Sequence, residues 1–99
     1  MKKQKFDAEL ESGHKGAAVI VPFDPEKVWG IRPRDVVTRV YGKRPGHLVT
    51  GTINGFPFEG WIGHRWGRFF ILVDEELQRT AGISAGQQVS LVIEPKTSG

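Results

Sequence analysis

Cysteine is absent from the chain. Disulfides, thiolate nucleophiles and cysteine-ligated metals are therefore excluded, and the composition suits a reducing cytoplasm. Long apolar runs are missing too, and no stretch approaches the ~20 residues of a membrane-spanning helix. The basic start Met1-Lys2-Lys3-Gln4-Lys5 leads into alternating Phe-Asp-Ala-Glu-Leu-Glu instead of an apolar core, which is not the pattern of a signal peptide. No nucleophile elbow, phosphate-binding loop or dinucleotide fingerprint occurs. His14, His47 and His64 stand apart, with no carboxylate at ligand spacing, so neither a metal nor another cofactor is expected. What the chain has in quantity is glycine, 13 of 99 residues, and aromatics, 10% of the whole. Many tight turns and β-structure follow, on a length that suits one domain spanning 1–99. The net charge of +3 bears on solubility and partners more than on fold.

The chain also repeats itself. Slid by 50 positions, Phe6 falls on Phe56, Glu9 on Glu59, Gly13-His14-Lys15 on Gly63-His64-Arg65, and Asp24 and Glu26 on Asp74 and Glu76. At an offset of 52 the match resumes, with Gly30-Ile31 on Gly82-Ile83 and Val37 on Val89. A fixed-period self-match points to two copies of one supersecondary unit. Repeat one is read over 5–42, a linking strand over 47–53, and repeat two over 56–94.

Each copy reads as strand, turn, buried strand, short helix, strand. Phe6, Ala8 and Leu10 alternate with acids, the period of a half-buried strand. Asp24-Pro25 starts a helix with a carboxylate cap and a first-turn proline, and Gly30 stops it. Residues 35–41 form the third strand. In copy two, residues 56–62 and 68–73 are strands, Asp74-Glu75-Glu76 caps the helix, Gly82 ends it, and 87–94 is the last strand. The second helix should be two residues longer, which accounts for the change of offset. Residues 48–53 join Phe56 through Asn54-Gly55, the strongest short-range hairpin signal, placing Ile53 opposite Phe56 and Gly51 opposite Phe58. The basic segment 40–47 reads as a link between copies. Together these elements predict a mainly β pseudo-barrel of about seven strands with two short helices, built by internal duplication.

At Gly51-Thr-Ile-Asn-Gly-Phe-Pro-Phe58, with Val21-Pro22-Phe23-Asp24 before it and Ala81-Gly82-Ile83-x-x-Gly86-x-x-Val89 after it, the chain resembles domain-of-unknown-function family 1905. The resemblance covers nearly the whole chain. It implies a double-split β-barrel, a single-chain relative of the barrel that two subunits build in swapped-hairpin regulators related to AbrB and MazE. It carries over no catalytic residue.

Two constellations could carry function. Arg32, Arg34, Arg39, Lys43 and Arg44 stand against Asp35 alone, while the matching stretch of copy two is neutral. Such a cluster is either a phosphate- or anion-binding patch or a solvated face. With one extended strand between them, Arg32 and Arg34 should lie roughly 30 Å from Lys43 and Arg44, as two separate rims. The second constellation is the turn holding Trp61, His64, Arg65, Trp66 and Arg68, which supplies stacking surface and cations for a ligand site. Its structural alternative is a turn that only packs the barrel. The expectation is a small binding or interaction module without catalysis, for a small anionic or aromatic ligand or a protein partner. The runner-up is a nucleic-acid-binding protein contacting phosphates through Arg32–Arg44.

Overall fold

A computed structural model describes residues 3–13, 16–38 and 42–96. Its elements run β1 (Gln4–Glu9), β2 (Glu11–Gly13), β3 (Gly16–Val21), α1 (Pro25–Trp29), β4 (Arg34–Thr38), β5 (Gly42–Ile53), β6 (Phe56–Arg65), β7 (Arg68–Val73), α2 (Glu75–Ala81) and β8 (Gln88–Pro95). The chain is mainly β, with the sheet order β1-β8-β5-β6-β7-β3-β2 and β4 attached to β5. All pairings are antiparallel.

The first strand and the last in that order are one stretch of chain, parted only by Leu10. The stretch pairs with β8 through β1 and with β3 through β2, so the sheet curls round on itself as a pseudo-barrel. Leu10 sits where the partner changes. Its N–H donates to the Gln87 carbonyl at 2.8 Å, its carbonyl accepts from Gly86 N–H at 2.7 Å, and its side chain is fully buried. Inward-pointing residues from the strands, among them Val19, Val49, Ile53, Ile71, Leu91 and Ile93, fill the interior, and Trp29 and Ile83 cover it.

The helices form as their caps dictate. Asp24 accepts from Glu26 N–H at 2.9 Å and Asp74 from Leu77 N–H at 2.7 Å, satisfying N–H groups that the first turn leaves unpaired. Both helices end on left-handed glycines, Gly30 at φ 69° and Gly82 at φ 67°. As expected from the shifted offset, α1 has 5 residues and α2 has 7. Correspondence stops at the third strands: β8 pairs with both β1 and β5, whereas β4 pairs with β5.

Asn54 (φ 49°) and Gly55 (φ 84°) make the two-residue turn, with Ile53 opposite Phe56 and Gly51 opposite Phe58. Gly51 has a further reason to be glycine. A Cβ there would run into the Val92 carbonyl and lie 2.9 Å from Ile93 Cα, so β8 packs against β5 only because nothing projects.

One expectation is corrected. From Gly42 onward, the segment read as a link is the first part of β5, a 12-residue strand. It folds back on β4, with Arg34 opposite Gly46, Val36 opposite Arg44 and Val37 opposite Lys43. The basic residues therefore share one hairpin instead of forming two rims roughly 30 Å apart, since two or three strand residues rise only about 7–10 Å. Arg39 lies outside the described residues.

Candidate functional site

The long strand β5 has two edges with different neighbours. The Leu48 carbonyl accepts from Lys96 N–H at 2.9 Å, so Leu48 faces β8. Backbone groups of successive residues in a strand point to opposite edges. Gly46, opposite Arg34, therefore faces the same edge as Leu48, and β8 and β4 follow one another along it. His47 and Pro45 face the β6 edge. Proline has no N–H to give that edge, and the β5–β6 ladder ends at His47–Ile62. Beyond this pair β5 leaves with β4, while β6 continues with β7 up to Arg65.

A cavity opens on each edge. Where β8 gives way to β4, a cavity of about 250 Å³ is bordered by Ile31, Arg32, Arg34, His47, Pro95 and Lys96, with Gly46 and Leu48 of β5 beside them. His47 is 8% exposed, and its Nε2 donates to the Ile31 carbonyl at 2.7 Å. A carbonyl only accepts, so Nε2 carries the proton. That bond pins the segment between α1 and β4 against β5 and sets Arg32 and Arg34 at the rim. Neither arginine has a hydrogen-bond or ion-pair partner among the described residues, and both are exposed. Lys96 also reaches the rim, but its Nζ lies 3.1 Å from Glu59 Oε2. No acid is among the described residues that line the cavity.

On the other edge, in the fork between β5 and β6, a cavity of about 170 Å³ is lined by Arg44, Pro45, Trp61, His64 and Phe70. Trp61 lies opposite Leu48. Its ring crosses two glycines: a Cβ on Gly46 would meet Trp61 Cε3 at 2.7 Å, and one on Gly63 would meet Trp61 Cζ3 at 2.5 Å. Only glycine leaves room for the indole on this stretch of sheet. Phe70 meets it edge-on, with centroids 5.8 Å apart, and the His64 ring stacks on Phe69 at 4.5 Å.

The two sequence constellations are thus redistributed. Trp61 and His64 come together and gain Arg44 from the basic stretch. Arg65, Trp66 and Arg68 belong to the hairpin tip instead. Arg65 and Arg68 face one another across the ladder, the Arg65 guanidinium lies 4.4 Å from the Trp66 ring centroid, and Trp66 is 86% exposed. Lys43 pairs with Asp35 at 3.4 Å and lies on the opposite face of the hairpin from Arg34 and Arg44. Asp74 caps α2, the structural role its position suggested. Among the described residues no three histidines or carboxylates gather as a metal site, and no helix is long and apolar enough to cross a membrane.

The described residues thus define a curled, mainly β pseudo-barrel with a small cavity on each edge of β5. The family model for a domain of unknown function, DUF1905, matches residues 6–93, and the chain belongs to that family. No curated protein is similar enough to the chain to count as a match.

Proposed function

We propose that this chain is a small binding module, with no catalytic step of its own, whose ligand is a small anion held where β8 gives way to β4. One observation carries the reading. Among the described residues Arg32 and Arg34 have no hydrogen-bond or ion-pair partner, and they line a cavity with buried His47 and no described acid. Guanidinium groups present fixed forks of donors to a carboxylate or phosphate, and charge-assisted bonds of that kind are about twice as strong as neutral ones. Lys96 adds a third cation, shared with Glu59. The cysteine-free composition supports a cytoplasmic setting. The matched caps and helix stops support an origin by duplication.

The nucleic-acid reading draws less support. Arg34 and Arg44 share a face of the hairpin, but Lys43 points from the other and is held by Asp35. Duplex binding that weakens steeply with salt would promote it.

Thermal unfolding with inorganic phosphate, against sodium chloride at equal ionic strength, tests the anion reading. At ten times Kd the stabilisation is about 1.4 kcal/mol, which raises Tm by about 5–10 °C in a domain this size. The Arg32→Ala/Arg34→Ala double variant should lose the shift while keeping its Tm in chloride, because both side chains are exposed. No shift in the natural protein, or an equal shift in the variant, would sink the reading.

A further inference from the structure

The cavities on the two edges of β5 are neighbours. Gly46 and Leu48 border the cationic one, and Trp61 of the aromatic one lies opposite Leu48 with its ring over Gly46. Arg44 and Pro45 line the aromatic cavity and Gly46, His47 and Leu48 the cationic one, and these five residues span only about 13 Å of strand. Pockets that bind small organic ligands usually measure about 300–1,000 Å³. Each cavity alone falls below that range, and the two together fall inside it.

We infer that the two cavities are halves of one site for an aromatic acid, a planar ring carrying a phosphate or carboxylate. The inference rests on the anion reading above and adds the ring. The acid sits between Arg32 and Arg34, and the ring enters the fork beside Trp61, Phe70 and His64. The chemistry of each half fits its part. The first presents the guanidinium groups of Arg32 and Arg34, which have no partner among the described residues. The second presents indole and phenyl surface, where a flat ring gains from offset or edge contacts. Trp61 is suited to the role because Gly46 and Gly63 hold its ring against the sheet, fixing the stacking surface before any ligand arrives. The two halves are neighbours because the β5–β6 ladder ends at His47, short of Pro45, which opens the fork beside the split between β8 and β4.

The test compares methyl phosphate with phenyl phosphate, which carry the same anion and differ in the ring. Affinities are read by NMR titration of the 15N-labelled protein, following the three tryptophan indole N–H signals separately. Phenyl phosphate is expected to bind about tenfold or more tightly, since stacking one ring is worth that much. The Trp61 indole should move with phenyl phosphate alone, while those of Trp29 and Trp66 stay. In Trp61→Leu the affinity ratio should fall toward one. Adenosine monophosphate tighter than phenyl phosphate would assign the ring to a nucleobase, and the reverse order to a simple aryl acid; either supports the shared site. Equal affinities for the methyl and phenyl esters, with the Trp61 indole unmoved, overturn the inference and leave the anion reading standing. If neither ester binds, the anion reading fails as well. The ratio in the natural protein decides the matter even if Trp61→Leu does not fold.

Discussion

Replacing Gly51 by alanine should cost about 3 kcal/mol or more of folding stability. The added methyl group points into the Val92 carbonyl and Ile93 Cα, which are backbone atoms of a paired strand and cannot swing aside as a side-chain tip can. Relief requires β8 to move away from β5, breaking a ladder that runs from Val49–Pro95 to Ile53–Leu91 and loosening Leu91 and Ile93, both fully buried. Domains of this kind hold only about 5–15 kcal/mol in total, so the loss is a large share of it. Urea denaturation checks the expectation through the midpoint. A shift equivalent to less than about 0.5 kcal/mol would mean that the two strands are not as close as described.

Leu10→Ala should cost about 2–5 kcal/mol, the range for emptying a fully buried leucine site. Its backbone bonds to Gln87 and Gly86 survive the change, so the loss isolates the side chain at the seam where the barrel closes. Hydrogen exchange adds a local reading. Amides of β1 and β8, paired next to the seam, should lose protection before those of β5 and β6. Uniform loss across all strands, or a cost under 1 kcal/mol, would place Leu10 outside the closing contact.

Features written in local chemistry were legible before the structure. Asn54-Gly55 fixed a hairpin because two consecutive positive φ angles are needed there, and Asp24, Gly30, Asp74 and Gly82 bracketed the helices as caps and stops do. Pro57, which has no N–H for a ladder, stands where β6 has no β7 partner, since β6 pairs with β7 only from Ile62 onward. The first part of β5 was not legible. Gly42-Lys-Arg-Pro-Gly-His47 has neither alternation nor β-branched residues, and β4 makes it a strand by pairing with it. The same gap hid the cavities. His47 is one histidine without a pattern around it, and Lys96 follows the last strand, so only the closed sheet brings them to Arg32 and Arg34. Trp61 was visible as a stacking residue, but its two glycine seats come from different strands. Pro45 was the available signal, since a proline inside a strand marks where one of its ladders must stop.

The central claim is that a small anion binds between Arg32 and Arg34 in the split beside β5. A titration of the 15N-labelled protein with inorganic phosphate at constant ionic strength tests it most directly. The account predicts saturating shifts confined to backbone amides of 31, 32, 34, 46–48 and 96, with those around Lys43 and Arg68 unmoved. Shifts scattered over the exposed lysines and arginines, growing linearly without saturation, would contradict it.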